Sequence, residues 1–287
     1  GDSMGDLLAR LNSPAELSRC LKKFTNSVDG IVSDSPRFGR TVYAGGDDVM
    51  AMLPAEHAVD VAWELSQYYR SCFAGTAAEG KATISGAIVF AHHQYPLRKV
   101  LKTAHELLDD VAKDATGRDA IAIGIIQSSG LNACWSTPWA MFEKDSAKFQ
   151  RRRTLTELVP QFGKEDSSSE MPNFNASFLY HLRTQYSKLF VKSLELPGSH
   201  GRLSEEMEGL LANLANSEYR RRMSSDAKKK YTPEQTFEMI SPLIGLSHLT
   251  KNKNGKVQVE KSSFGFDGWR VARFLAAVAE GKVGERD

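Results

Sequence analysis

The 287-residue chain has few cysteines and no long apolar run. Cys20, Cys72 and Cys134 are widely spaced and form no Cys-x-x-Cys pair, which argues against a disulfide framework and against a zinc knuckle. The longest apolar stretch, Ala120–Ile126, is far too short to cross a bilayer. We therefore expect a globular protein of the cytoplasm, with no membrane partner.

Charge is present in both signs but is unevenly distributed. Residues 1–150 carry three more acidic than basic residues, whereas residues 151–287 carry five more basic than acidic ones. The basic residues bunch in runs at 151–153, 220–222, 228–230 and 251–256. Such runs can meet nucleic-acid phosphates, although short runs of like charge more often form a solvated helix face.

The first part of the chain alternates helical and strand patterns. Ser13, Pro14 and Glu16 form a capping box with proline at the first helical position, so a helix is predicted there. The order that follows is strand, strand, helix, strand, helix, strand, and "GDSMGDLL" at the start is interpreted as one more strand. This order predicts an α+β fold with a ferredoxin-like domain.

The pattern changes after about Ser128. The polar, serine-rich stretch 163–173 is interpreted as a loop or linker. Helical periodicity is then predicted over 174–195, 204–223, 233–249 and 267–280. We therefore predict a first domain over residues 1–145 and a mostly helical domain over residues 146–287.

The stretch "VYAGGDDVMAM" holds two glycines and two aspartates between short apolar runs. Glycine and aspartate are the preferred residues of tight hairpin turns, so an ordinary turn is one explanation. Adjacent carboxylates are also hard oxygen ligands for Mg²⁺ or Mn²⁺, and glycines let a backbone approach a triphosphate closely. The GGDD sequence between two predicted strands favours a metal–nucleotide site.

This stretch resembles the signature hairpin of palm-type nucleotide polymerases and cyclases. Within that class it is most similar to the second palm domain of the large subunit of type III CRISPR–Cas effector complexes, closest to the Cmr type. Three further stretches resemble that family: "GDSMGDLL" its first palm strand, "ISGAIVFAHHQYPLRKV" its Ser-Gly strand and Pro-Leu helix start, and "AKDATGRDAIAI" its Ala-Lys…Gly-Arg-Asn turn. The similarity covers about residues 1–130.

The resemblance implies roles for individual residues. The acidic residues expected to hold two Mg²⁺ or Mn²⁺ ions are Asp47, Asp48 and Asp2, of which Asp47 and Asp48 would be catalytic. The residues expected to bind ATP are Gly45, Gly46, Ser85, Lys113 and Arg118. Each of the last three has a plainer alternative: complement to a helix dipole for Lys113, a solvated turn for Arg118 and a small core residue for Ser85.

The chain also departs from the family pattern. The first aspartate of the family's Asp-Gly-Asp strand would fall just before Gly1, and the spacing to Arg118 is one residue longer than in GGDEF cyclases. We expect the protein to extend upstream into a first palm, where the family often also carries an HD nuclease. His92 and His93 have no nearby metal-ligand set and do not supply such a nuclease.

The function implied by the resemblance is synthesis of cyclic oligoadenylates from ATP when the complex binds target RNA. The implied partners are other effector subunits, guide RNA, target RNA and an upstream palm. A diguanylate-cyclase-like enzyme is one alternative, although Val49 stands where GGDEF cyclases have Phe and no Arg-x-x-Asp precedes the hairpin. The other alternative is a non-catalytic scaffold that binds RNA and neighbouring subunits.

Overall fold

The computed structural model describes residues 1–11, 13–127, 130–142, 154–158, 176–187, 201–202, 205–253 and 256–281. The helices are α1 (Met4–Leu11), α2 (Pro14–Ser33), α3 (Ala58–Cys72), α4 (Leu97–Glu106), α5 (Ala176–Ser187), α6 (Glu205–Arg222), α7 (Ser225–Lys230), α8 (Pro233–Gly245) and α9 (Asp267–Ala279). The strands are β1 (Arg40–Gly45), β2 (Asp48–Met52), β3 (Gly86–Phe90), β4 (Ala120–Gln127), β5 (Gly130–Pro138), β6 (Gly201–Arg202), β7 (His248–Lys253) and β8 (Lys256–Phe264). The chain is thus α+β, as predicted.

Helix α2 begins at the predicted capping signal. The Ser13 hydroxyl accepts a hydrogen bond from the Glu16 backbone N–H at 3.3 Å, which satisfies a donor that the first helical turn leaves open. Phe24, Val28 and Val32 recur at helical spacing and are fully buried. The capping box and the apolar period therefore predicted both the start and the buried face of this helix.

Strands β1 and β2 form the predicted hairpin around the GGDD sequence. The pairing runs from Arg40 opposite Met52 to Gly45 opposite Asp48, with an irregularity between Thr41 and Tyr43. Inward-facing small and branched residues of the hairpin pack on the core that α1, α2 and α3 build. The opposite face of the hairpin carries large apolar side chains that remain exposed, namely Val42, Tyr43 and Met52.

A second, three-stranded sheet has the order β3-β4-β5. Strand β4 lies in the centre, parallel to β3 and antiparallel to β5, and all of its residues except Gln127 are buried. Central strands covered on both faces have continuous apolar sequences, as "AIAIGII" does. Strand β5 was not predicted; its buried residues Ala133, Trp135 and Thr137 alternate, but they give only a weak apolar pattern.

The strand predicted at "GDSMGDLL" is wrong. Residues 1–3 have no regular structure, and Met4–Leu11 forms helix α1. Leu7 and Leu11 are four residues apart, so a helix places both on one face, where they are buried in the core shared with α2. A strand would also place Leu7 and Leu11 on one face, but it would put Ala9 on that buried face between them. Leu8, Ala9 and Arg10 are all exposed, which fits the helix.

The C-terminal part is mostly helical, as predicted, and it also contains an unpredicted sheet of order β6-β8-β7. Helix α9 packs against β5, where the Cys134 N–H donates to the Asp267 carboxylate at 3.2 Å. The Trp135 indole N–H donates to the Leu246 carbonyl oxygen at 2.9 Å in the same region. The predicted domain boundary at 145/146 and the predicted linker 163–173 lie outside the described residues.

Within the described ranges, no helix has both the length and the apolar composition that crossing a membrane requires.

The three thiols should be unreactive in the native chain. Burial raises the pKa of Cys20, Cys72 and Cys134, the last to about 12, and the thiolate is the form that reacts. At pH 8 a thiol reagent should label the native chain far more slowly than the same chain in urea, where all three cysteines react. Fast native labelling of any one cysteine, located by mass spectrometry, would contradict this.

Candidate nucleotide and metal site

The GGDD turn has a backbone that only glycine adopts readily. Gly46, the first of the two turn residues, has φ +62°, whereas Asp47 is not in the left-handed region, which is the pattern of a type II′ turn. A Cβ placed on Gly46 would meet no atom within 4 Å, so one face of this turn is open. The Thr25 hydroxyl of α2 holds the other side by donating to the Gly46 carbonyl oxygen at 3.3 Å.

The two carboxylates of the turn differ in their surroundings. Asp48 is exposed, whereas the Asp47 side chain is 26% exposed. The Gly1 nitrogen lies 2.8 Å from the Asp47 carbonyl oxygen and 3.0 Å from its Oδ2. Asp47 is thus held by the backbone at the start of the chain, while Asp48 faces solvent.

Tyrosine side chains pack closely against two glycines beside the turn. A Cβ on Gly45 would lie 2.4 Å from the Tyr43 hydroxyl oxygen, so the Tyr43 ring covers that glycine. A Cβ on Gly1 would lie 2.6 Å from the hydroxyl oxygen of Tyr69 and 2.8 Å from the Asp47 Cβ. Burial raises the pKa of Tyr69, and the carboxylates of Asp47 and Asp2 raise it further, so its hydroxyl stays neutral beside both.

Asp2 is buried and accepts several hydrogen bonds. The Ser85 hydroxyl lies 2.8 Å from its Oδ1 and 3.0 Å from its Oδ2, and the Thr83 hydroxyl donates to Oδ2 at 3.1 Å. The backbone N–H of Asp119 also donates to Oδ2, at 3.0 Å. The structure therefore brings together Asp2 and Ser85, two of the residues predicted for the site, inside the fold rather than on an open surface.

A second carboxylate, that of the partly buried Asp119, adjoins this cluster and pairs with the Arg70 guanidinium of α3. Burial raises the pKa of Asp119 and the Asp2 carboxylate raises it as well, against the Arg70 guanidinium, which lowers it. Asp119, Arg70, Thr83 and Tyr69 were not predicted as site residues. The hydrogen bonds of Asp119 join residues that are 49 and 117 positions apart in the sequence, and Tyr69 contributes through its closeness to Gly1. The only local signal for this region in the sequence is the "GRD" turn.

Lys113 lies on a π-helix, Leu107–Ala115, that continues α4. The Lys113 ammonium lies 2.8 Å from the Asp109 carboxylate one turn earlier, and this hydrogen bond lowers the pKa of Asp109. The lysine side chain is 29% exposed. Its predicted role in binding phosphate would require it to exchange this surface partner, which holds it weakly.

Arg118 lies in the turn that joins the π-helix to β4. Three consecutive residues there have left-handed backbones, with φ of +93° at Gly117, +65° at Arg118 and +50° at Asp119. Non-glycine residues take such values rarely, and surrounding contacts must hold them there. The Arg118 side chain is exposed, as a phosphate contact or a solvated turn residue would both require.

The donor set at the hairpin fits a divalent cation that also binds phosphate. Among the described residues, no group of three or more His, Cys, Asp or Glu side chains could hold a metal ion by itself. Mg²⁺ is usually bound by one or two carboxylates, with substrate phosphates and waters as its other ligands. Asp47 and Asp48 supply two such carboxylates beside the open face of Gly46.

The basic runs differ in the contacts and in the exposure of their described side chains. Arg220 donates to the Tyr231 carbonyl oxygen at 2.9 Å, and Arg222 contacts the Glu218 carboxylate at 3.2 Å, so both serve internal packing. Lys228, Lys229 and Lys230 are all exposed. The run at 151–153 lies outside the described residues, as does part of the run at 251–256. His92 and His93 are exposed, and their rings lie against each other at a tilt of 45°, with centroids 4.2 Å apart.

Comparison with known proteins finds relatives of the first part of the chain. Residues 1–122 match the family model described as Cas10/Cmr2, second palm domain. The CRISPR system Cmr subunit Cmr2 of Pyrococcus furiosus is 34% identical over 115 residues, which are 40% of this chain and only 13% of that relative. Residues 1–122 are therefore similar to the second palm domain of the Cas10/Cmr2 family, which supports the resemblance to a Cmr-type large subunit that the sequence predicts.

Proposed function

We propose that this palm is catalytic and synthesises cyclic oligoadenylates from ATP when its effector complex binds target RNA in the cytoplasm. The observation that carries the proposal is the GGDD turn itself. It presents two carboxylates, Asp47 and Asp48, beside a glycine whose outer face has no neighbour within 4 Å. Open space next to paired hard ligands is what a metal-bound triphosphate requires.

In the proposed reaction the 3′-hydroxyl of one ATP attacks the α-phosphate of another and displaces pyrophosphate. Divalent ions held by Asp47 and Asp48 would supply charge stabilisation on the transferring phosphate and a lower pKa for the attacking hydroxyl. The chain's own contribution is placement. Gly46 leaves room for the phosphates, the contact with Gly1 fixes Asp47, and Lys113 and Arg118 are the proposed cationic contacts to the triphosphate.

We propose that the exposed outer face of the hairpin packs against the upstream palm expected for this family. Four large apolar residues are exposed at the hairpin and just before it: Phe38 at 72%, Val42 at 52%, Tyr43 at 55% and Met52 at 51%. Isolated surface apolar residues are ordinary, but a group of them on one short hairpin is typical of an interaction site. A palm packed there would lie next to the turn that carries Asp47.

The double substitution Asp47→Asn and Asp48→Asn should abolish nucleotide synthesis. Loss of both ligands removes charge stabilisation from the transferring phosphate, so we expect a fall of roughly 100-fold or more in the rate. The measurement is chromatography of the products that the assembled complex makes from ATP and Mg²⁺ with target RNA.

Asp29→Asn is the matched control for this test. Asp29 is an exposed aspartate on α2, and its substitution removes a charge without touching the turn. Both variants should enter the complex normally, as judged by co-purification of the subunits. Synthesis at the wild-type rate by the double variant would refute the catalytic assignment.

A scaffold role that binds RNA is compatible with catalysis, and one observation favours it. The lysines of α7 are exposed, and the Lys229–Asp226 pair is about 80% exposed on both sides, so it holds the lysine only weakly. These lysines can therefore turn to phosphates at little cost. We propose that Lys228 and Lys229 contact the RNA backbone in the complex.

Lys228→Gln with Lys229→Gln should weaken binding of single-stranded RNA and reduce its salt dependence. Each phosphate contact to single-stranded RNA contributes about 0.7 to the slope of log affinity against log salt, so the slope should fall by roughly 1.4. Fluorescence anisotropy at several salt concentrations measures this slope.

Lys22→Gln with Lys23→Gln is the control, because it removes the same charge from exposed positions on α2. The control should keep the wild-type slope. An unchanged slope in the α7 variant would instead mean that this surface does not contact RNA.

A further inference from the structure

The hairpin β1–β2 and the sheet β3-β4-β5 are separate in the described part of the chain, since no strand of one pairs with a strand of the other. Residues 1 and 2 connect them in space through two backbone hydrogen bonds. The Gly1 nitrogen donates to the Asp47 carbonyl oxygen at 2.8 Å on the hairpin side. The Asp2 N–H donates to the Thr83 carbonyl oxygen at 2.9 Å on the sheet side. Residues 1 and 2 thus link the GGDD turn to the segment that leads into β3.

The Asp2 carboxylate anchors this link inside the fold. Only 3% of the residue is exposed, and its two oxygens take part in four contacts with the hydroxyls of Ser85 and Thr83 and the N–H of Asp119. An ionised carboxylate offers about four lone-pair sites. Three donors, the two hydroxyls and the N–H, thus occupy most of these sites, and Asp2 has less capacity left for a cation than the exposed Asp48.

The contacts of Asp2 extend to the third element that borders the site, the turn at residues 117–119. Asp119 donates its N–H to Asp2, accepts from the Trp139 N–H at 2.9 Å through its carbonyl oxygen, and pairs with Arg70 through its carboxylate. These bonds hold Asp119 at a φ of +50°. The same turn carries Arg118, so Asp2 helps to fix a proposed phosphate contact as well as Asp47.

The coupling between Asp2 and Asp47 is steric. Gly1 lies so close to Asp47 and to the fully buried Tyr69 that even a methyl group on it would come within 2.6–2.8 Å of them. Tyr69 packs edge-on against Phe24 of α2, with ring centroids 5.0 Å apart, and cannot yield easily. A displacement of residues 1–2 must therefore be passed on to Asp47.

We propose that Asp2 is a positioning residue: it is hydrogen-bonded to Thr83, Ser85 and Asp119, and through Gly1 it fixes the position of Asp47 without itself binding the metal. The consequence for catalysis rests on the proposed function, whereas these hydrogen bonds do not. Ser85 has the same role from the other side of the bond. Loss of its hydroxyl and loss of the Asp2 charge should therefore have the same effect.

The first experiment measures amide hydrogen exchange in the full chain without metal or nucleotide, so its outcome is independent of catalysis. Ser85→Ala and Asp2→Asn should each speed exchange of the hairpin amides, residues 43–52, by about tenfold, the effect of losing one hydrogen bond to a buried charged group. Amides of β4 should keep their wild-type protection.

Ser66→Ala is the matched control, since it removes a buried hydroxyl of α3 that bonds to the Trp63 carbonyl oxygen and makes no bond to Asp2. The proposal is overturned if Ser85→Ala leaves the hairpin exchanging as in this control. It is also overturned if exchange rises equally in β4, which would mean general destabilisation.

The second experiment separates positioning from metal binding in the assembled complex. A positioning role predicts that Ser85→Ala and Asp2→Asn both lower kcat for oligoadenylate synthesis, with the Mg²⁺ concentration at half-maximal rate within about twofold of wild type. If Asp2 were a metal ligand, Asp2→Asn alone would raise that Mg²⁺ concentration and Ser85→Ala would not. That result would overturn the proposal even if the proposed reaction is correct.

Discussion

One buried carboxylate, that of Asp2, holds the candidate site together. A charge inside a protein is stable only where hydrogen bonds replace the water it has lost, and here the hydroxyls of Ser85 and Thr83 and the N–H of Asp119 do so. Leaving one such group unsatisfied costs roughly 1–3 kcal/mol or more. That cost is what keeps three segments, distant in sequence, in fixed relation to the hairpin.

The aspartates of the site have divided tasks, and their surroundings explain the division. Asp2 is buried and Asp119 is partly buried, and each carboxylate is bonded to donors from the protein, so both fix the backbone around them. Asp48 is exposed, and Asp47 is partly so, and both stand beside a glycine with open space around it. The carboxylates beside the open turn and the carboxylates that fix the surrounding backbone are therefore different residues, although all four belong to one small region.

The sequence predicted most accurately where a helix begins and where a hairpin turns. The capping box at Ser13 located α2, and the glycines of the GGDD turn located the hairpin, because both depend on neighbouring residues alone. It failed at "GDSMGDLL", where Leu7 and Leu11 face a core built by residues far along the chain. The resemblance identified Asp47 and Asp48, but Arg70 and Asp119 gave no local signal, since their importance comes from contacts that only the folded chain creates.

The π-helix before β4 affects how this region tolerates changes of length. Its hydrogen bonds, such as Thr116 N–H to the Val111 carbonyl oxygen at 2.8 Å, close over one residue more than those of an α-helix. An added residue can thus be accommodated as a wider turn, while α4 before it and β4 after it keep their registers. A difference of one residue in the length of the segment between Lys113 and Arg118 is therefore compatible with an unchanged central strand.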